Sequence, residues 1–581
     1  MGFLQNVKRR CEEQRGLPGD KNTKIRIIFG FLFSLAFSAG LVYYLNTRAP
    51  IKYVINDDCA FELMLSGAYG SSAGYDIFQN IVFGKVISAL FALLPTVNWY
   101  SVALMGIFCL SFSVFGTYFI EKLGFVIGIP LDIAVDLVFE TTLLYQFQWT
   151  VCAYVAMAAG IVLFIWGDRS EKRKRIWRFI LSGLFFSLAF MIRWNVILPA
   201  AVLTGAYCVV ALLEKKKRAV ASAAAFCAIC GVIAGLYGVN ALAYTCDPQW
   251  RAYEEYNSVR SELVDFLRPD YAENEAVYQS VGWSQNDCDM FLSFITPDDG
   301  KFSTENLEKI AEAVSSSRTV NLKEAVVKLG QDISQFRHTQ VSCFVILFSL
   351  LFALCFNEKK ILPIGLAASA FLFHMVLILM NRNLDRVVFP QYATTAILML
   401  CILDFDAAEA KLGIVPGKLG PGIRMKAFAL LLVLSVFLPK SMVNYQVDTA
   451  LDGIQENNSI ALYDEYVKEN PQNVYVMVPN GLYSRNSYYS LFTVPEKDSL
   501  KNAFPVGGWE QRTKYYYEFE ERYGIDNILQ DLLTKENYYI APLNYGDFLR
   551  TYIYENYGIS VEFQTIYQAG DIQICKVVKT S

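Results

Sequence analysis

Residues 26–46 read RIIFGFLFSLAFSAGLVYYLN, and ten positions further on the chain turns abruptly polar at Asn56-Asp57-Asp58. The first run has the length and apolarity of a bilayer-crossing helix, which takes about 20 residues. A basic segment precedes it (Lys8, Arg9, Arg10, Arg15, Lys21, Lys24) and no small-residue cleavage site follows. It therefore reads as an uncleaved signal anchor rather than a signal peptide. Ten more stretches further along resemble it: 100–120, 125–145, 148–166, 178–197, 199–213, 219–244, 338–356, 361–380, 387–404 and 426–443. Composition agrees. Of the 581 residues 54% are apolar, 15% aromatic and only 18% charged, with a mean hydropathy of +0.31. That balance excludes a disordered chain, a coiled coil, a collagen and a small disulfide scaffold. The expected fold class is an α-helical polytopic membrane protein of about eleven transmembrane helices.

Sides follow from the positive-inside bias. Loop 167–178 holds Arg169, Lys172, Arg173, Lys174, Arg175 and Arg178, and loop 214–218 holds Lys215, Lys216, Lys217 and Arg218. Both are expected in the cytoplasm with the N-terminal segment 1–25. The apolar run Ile81–Leu94 is short for a span, and counting it as one would put loop 167–178 outside. It reads instead as an interfacial helix on the outer surface. The transmembrane bundle then occupies 26–444, with exterior loops 47–99 and 245–337. Residues 445–581 form an extracytoplasmic α/β domain, so the N-terminus is cytoplasmic and the C-terminus outside the cell membrane. Loop 245–337 carries 17 acidic and 9 basic side chains, and the tail 19 and 11. In the tail, Asn473–Val478, Asn537–Ala541, Ser560–Tyr567 and Ile572–Val578 read as strands, alternating with helical Ser459–Glu469 and Tyr515–Leu533. The Gly- and Pro-rich stretch Gly413–Pro421 reads as a cytoplasmic loop.

Several chemistries drop out. The formal charge of −4 is too balanced for a nucleic-acid binder. With only His338 and His374 present, a multi-histidine metal site is excluded. The thirteen cysteines are scattered through apolar segments and read as small core residues. No P-loop, dinucleotide-binding glycine pattern or Ser/His/Asp set is visible, which argues against nucleotide sugars and ATP as direct substrates.

Asn56, Asp57 and Asp58 stand just beyond the first span. Carboxylates in hydrocarbon cost roughly 2.5–3.5 kcal/mol each, a cost that fades at the membrane boundary. There an acid meets both a lipid headgroup and a water-soluble molecule. The alternative is a polar boundary that caps a helix. A long first exterior loop, this acidic pair and an interfacial helix before the second span resemble the GT-C superfamily of multi-spanning glycosyltransferases. Asn56-Asp57-Asp58, Ser66-Gly67-Ala68-Tyr69, Asn98-Trp99-Tyr100 and Gly282-Trp283-Ser284-Gln285-Asn286-Asp287 also resemble uncharacterised bacterial membrane proteins of this type. The resemblance covers most of 26–444 and the exterior tail; a His-Pro-Pro-type segment of some GT-C families is absent.

The resemblance implies a polyprenyl-phosphate-linked sugar donor, a glycan or glycolipid acceptor and direct displacement with inversion. Such a reaction needs a base for the acceptor hydroxyl and cations for the phosphate. Asp57 and Asp58 are the candidate catalytic residues. Asn56 and Asp76 belong to the same mouth of the bundle. Arg193, Arg382 and Arg386, at exterior ends of spans, carry forks suited to phosphate oxygens, with headgroup contact as the alternative. Asp132, Asp136 and Glu140 recur at i, i+4, i+8 on one helix face. Intramembrane acids point to function, and Glu140, nearest the exterior, is the one set to border a cavity. Asp287 and Asp289 read either as site residues or as part of a helix start at Ser284 or Asn286. The tyrosines at 515–517 and 538–539 suit sugar stacking or a small α/β core equally. No tightly bound cofactor is expected, and a divalent metal stays open. The leading function is transfer of a sugar to a cell-wall polymer, surface polysaccharide or glycolipid. The alternatives are a surface-polysaccharide polymerase or ligase, and a transporter or flippase of lipid-linked sugars.

Overall fold

The computed structural model describes residues 19–213, 219–314, 321–357, 359–380, 382–404, 443–448, 450–451, 458–478, 485–486 and 488–580. The candidate span 426–443, apart from its last residue, lies outside these, as do the Gly413–Pro421 break, loop 214–218 and the basic residues before position 19. Among the described residues seven helices are long and apolar enough to cross a membrane: Lys24–Arg48, Trp99–Leu123, Trp149–Asp168, Lys172–Ile192, Ala219–Cys246, Arg337–Phe356 and Ile361–Leu379. The protein is a polytopic α-helical membrane protein.

Three of the other expected spans take different forms. Ile197–Leu213 and Asp385–Cys401 are helices of 17 residues each. The stretch 125–145 is helical from Phe125 to Val135, widens to a π turn over Asp136–Glu140 and closes with Thr141–Leu144. All three of its acids are buried, with Asp132 accepting from Ser34 Oγ and Glu140 from Ser38 Oγ, each at 2.5 Å.

Trp149–Asp168 is the axis of the bundle, and every residue along it is buried. Its small residues Ala153, Ala156, Ala159 and Gly160 let neighbours approach closely; a Cβ on Gly160 would lie 3.1 Å from the Phe186 ring. At one end Asp168 accepts from Tyr207 Oη at 2.7 Å and Ser222 Oγ at 2.5 Å. At the other end begins the layer built by the two long loops and the tail. There the helix Ile81–Leu93 buries Ile81, Phe83, Ile87 and Phe91 and leaves Val86 and Leu93 exposed. One apolar side on protein and one bare is the form of a helix lying at an interface.

The tail builds a five-stranded mixed sheet from β1 (Val474–Met477), β2 (Ala503–Pro505), β3 (Tyr538–Ala541), β4 (Val561–Ala569) and β5 (Ile572–Lys579), in the order β2-β1-β3-β5-β4. β1 runs parallel to β2 and β3, and β5 antiparallel to β3 and β4. Four strands match the sequence reading to within two residues, and β2 was not anticipated. The expected helix 515–533 is two helices, Lys514–Tyr523 and Ile528–Thr534. Gly524, left-handed at φ 61°, closes the first, and Asn527 caps the second.

The tail shares its core with the two long loops. Tyr69 of the first loop packs on Phe504 with ring centroids 4.7 Å apart, and Trp250 of the second loop meets Tyr515 at 5.9 Å. The two loops and the tail thus form one hydrophobic layer seated on the bundle.

Candidate active site

Asp57 and Asp58 open the helix Asp57–Ser66, where the helix dipole favours acids in the first turn. Successive residues on a helix point about 100° apart, so the neighbours face different surroundings. Asp58 turns into the bundle and is completely buried. Its Oδ1 accepts from Tyr100 Oη at 2.9 Å and from the backbone N–H of Trp149 at 3.0 Å. That N–H is one of the orphan donors at the start of the axial helix. One turn on, Glu62 Oε1 accepts from Tyr53 Oη at 2.9 Å and from Ser101 Oγ and Asn98 Nδ2 at 2.8 Å. Burial pushes Glu62 up to about 7 against these three donors. Asp58 and Glu62 fasten the helix Asp57–Ser66 to the bundle.

Asp57 faces elsewhere, onto a cavity of about 920 Å³ between the bundle and the layer of loops and tail. Arg386, in the first turn of Asp385–Cys401, places Nη1 3.5 Å from Asp57 Oδ2. Arg382 lines the same wall, 3.5 Å from Asp265 and with its guanidinium 4.2 Å from the Phe266 ring centre. Arg193 closes the helix Lys172–Ile192, donates to Thr150 Oγ1 and stacks 4.3 Å over Trp149. The cavity thus joins Asn56, Asp57, Arg193, Arg382 and Arg386, residues spread over more than three hundred positions of sequence. Asp58, Asp76 and Glu140 do not line it. Asp76 is buried within the loop ahead of the helix Ile81–Leu93, and Glu140 is buried in the bundle against Ser38.

Burial and neighbouring charges set the electrostatics of the cavity wall. Burial raises the Asp57 carboxyl above the ordinary carboxylate range, opposed by Arg386, Arg193 and a hydrogen bond from Trp509. Burial, together with repulsion from Arg386 and Arg382, lowers Arg193 to about 10, with Tyr154 and Asp57 opposing. A carboxylate more basic than usual beside several guanidinium groups can take a proton while a phosphate is held nearby.

Sequence reading missed the outer wall. It comes from the tail as Gly507-Gly508-Trp509-Glu510. Gly507 sits at φ 99°, and a Cβ there would lie 2.1 Å from the Phe294 carbonyl oxygen. The Gly508 N–H donates to that same oxygen at 2.7 Å. Trp509 is held by its own carbonyl, which accepts from Tyr253 Oη at 2.7 Å, and packs on Phe61 and Phe78. The paired glycines are the signal: they mark a close backbone approach. The Gly282-Trp283-Ser284 segment, by contrast, is structural. Ser284 and Asp287 form a capping box, and Asp287 pairs with Lys301 at 2.6 Å. Among the described residues no group of three or more His, Cys, Asp or Glu is placed to hold a metal ion.

No family model matches the sequence, and no curated protein matches it. Among solved structures, the chain is similar to the Archaeoglobus fulgidus oligosaccharyltransferase in its apo form, at 13% identity and TM-score 0.40, over 88% of this chain and 69% of that one. It is similar to ArnT from Cupriavidus metallidurans in the apo state, at 11% identity and TM-score 0.39, over 95% and 98%. The same ArnT bound to undecaprenyl phosphate matches at 10% identity and TM-score 0.38, over the same shares.

Proposed function

We propose that the protein is a membrane glycosyltransferase that moves a sugar from a polyprenyl-phosphate-linked donor to an extracytoplasmic acceptor. The observation that carries this reading is the Asp57–Arg386 approach of 3.5 Å on the wall of a cavity that Arg193 and Arg382 also line. Trp194 and Tyr237 line the cavity too and are exposed, at 55% and 62%. Both belong to helices of the bundle region, so the cavity opens sideways at a level where aromatic residues meet the membrane surface. A lipid-borne phosphate enters there without leaving the bilayer.

In this reading Asp57 takes the proton of the acceptor hydroxyl as its oxygen attacks the anomeric carbon. The bond from that carbon to the phosphate oxygen breaks on the opposite face, with inversion. The polyprenyl carrier leaves with the bonding electrons, its charge held by the arginines. Asn56 lines the approach. Asp58 serves by fixing the helix that carries Asp57. Orientation follows the basic loops: eleven spans, a cytoplasmic N-terminus and a C-terminus outside. The buried row Asp132, Asp136 and Glu140 does not line the cavity, which favours transfer over transport.

The test is purified full-length protein in nanodiscs with radiolabelled polyprenyl-linked sugars and mixed envelope acceptors. Transfer in wild type, lost in Asp57→Asn, supports the reading. Transfer unchanged in Asp57→Asn removes the carboxylate from the mechanism.

A further inference from the structure

The helix Asp57–Ser66 has a second cavity behind it. Cys59, Glu62 and Leu63 stand roughly 140–240° around the helix from Asp57, at about 100° per residue, and line a cavity of about 340 Å³. The tail supplies the rest of the wall, from the helix Ser459–Glu469 and the segment 485–500. No lining residue is shared with the cavity that Asp57 faces. The volume falls within the roughly 300–1,000 Å³ of small-molecule sites, and Leu63, Ala461, Val494, Pro495 and Leu500 make part of the wall apolar.

Two observations bear on what fits there. The first is Glu62, which is 9% exposed. Its three donors, on Tyr53, Ser101 and Asn98, all reach one oxygen, Oε1. Among the described residues no hydrogen bond reaches Oε2, so that oxygen is the one left for the cavity. A carboxylate oxygen in so dry a place gains from a donor that a ligand brings.

The second is the full charge count of the wall. Its acids are Glu62, Asp464, Glu465 and Glu496, and its bases are Lys468 and Arg485. Both bases are engaged. Arg485 donates through both Nη atoms to Asp464, which also accepts from Tyr489 Oη at 2.8 Å, and Lys468 pairs with Glu496. Lys497, next along the segment, is exposed and outside the wall. Glu465 is exposed and screened by water. Glu62 is the acid that lacks both a base and a solvent shell. It titrates near 7, and an ammonium beside it draws off the proton.

We infer that this second cavity binds a small organic amine, its ammonium on Glu62 Oε2 and its carbon body against Leu63, Val494 and Pro495. The site belongs to the junction of the first loop with the tail and does not rest on the transferase reading.

The experiment measures binding of cyclohexylamine and cyclohexanol, alike in shape and different in charge, to the full-length protein in nanodiscs of zwitterionic lipid. It is run at pH 8, above the value near 7 at which Glu62 titrates. The amine should bind at least ~10-fold tighter than the alcohol, the worth of one charge-assisted hydrogen bond. Glu62→Gln should erase that preference and leave the alcohol within about twofold, whereas Glu465→Gln should lower it less than about threefold. Val494→Trp fills the cavity and should weaken both probes alike. Equal binding of amine and alcohol to wild type overturns the inference. So does a preference that survives Glu62→Gln, or amine binding untouched by Val494→Trp, which would put the amine elsewhere on the protein. Displacement of the amine by magnesium at constant ionic strength overturns it in favour of an inorganic ion. If Glu62→Gln fails to fold, the wild-type preference and its loss in Val494→Trp decide.

Discussion

Asp58 holds the first backbone N–H of the axial helix, at Trp149, over 3.0 Å, while its neighbour Asp57 stands 3.5 Å from Arg386 on the opposite side of the same short helix. In the proposed mechanism one acid assembles the site and the other works in it. The two should therefore fail in different ways. Asp57→Asn should lower transfer at least ~100-fold with an unchanged melting temperature. Asp58→Ala leaves the Tyr100 O–H and the Trp149 N–H buried without an acceptor, at about 1–3 kcal/mol each. It should melt measurably lower, and lose activity in proportion to the folded fraction. Thermal unfolding in detergent, read beside transfer, separates the two.

Arg386 should act as a fork and not only as a charge. Arg386→Ala is expected to raise the donor KM at least ~10-fold, and Arg386→Lys to recover part of the loss. Donor titrations at saturating acceptor check this; identical behaviour of both variants and wild type would reduce Arg386 to a headgroup contact.

The pH dependence of stability has a definite sign. Glu510 titrates near 8 in the folded protein, against an ordinary glutamate value near 4.5. Between those values the native state holds the proton more tightly than the unfolded chain, so stability falls as pH rises through the window. Glu510→Gln mimics the protonated form. It should melt close to wild type at pH 5 and above it at pH 8.5. A variant less stable than wild type at pH 8.5 would refute this.

Activity should show a basic requirement of its own. Burial raises Asp57, so the acid limb of the rate profile should lie above the ordinary aspartate range. Transfer should fall as pH drops through that limb, and Asp57→Asn should have no such limb in its residual rate.

Gly507→Ala should displace the outer wall. The added Cβ meets the Phe294 carbonyl and the residue must hold φ 99°, a combination that costs on the order of 1–3 kcal/mol. Trp509 moves with the loop, so transfer should drop by roughly tenfold in a protein whose bundle still folds. A Trp fluorescence shift together with the rate is the measurement.

The bundle was legible because a span is a local property: about twenty apolar residues declare themselves without reference to the rest of the chain. The acidic pair was legible for the same reason, but not its division of labour, which depends on the 100° step and on where Trp149 happens to begin. The row at 132, 136 and 140 read as one helix face, and the π turn at Asp136–Glu140 is a change of pitch that residue spacing does not announce. Arg193, Arg382 and Arg386 were visible as cations at span ends. Trp509 was not, since its place comes from contacts with Tyr253, Phe78 and Phe61, some 250 to 450 residues away. The tail read as a self-contained α/β unit because its strands alternate properly. Its partners Tyr69 and Trp250 come from the two loops, which a local reading treats as separate.

The fully enclosed helix Trp149–Asp168 has a bearing on how the protein is made. In the finished molecule it meets protein on every side, yet its mean hydropathy is 2.0, close to the 2.1 and 2.2 of the helices with the barest faces. One of its flanking partners, Asp385–Cys401, leaves the ribosome more than two hundred residues later. Until then the helix must rest beside lipid tails. Its all-round apolarity thus meets a demand of insertion order rather than of its final neighbours. A polar residue placed there would be harmful during biogenesis, even where the completed bundle could satisfy it.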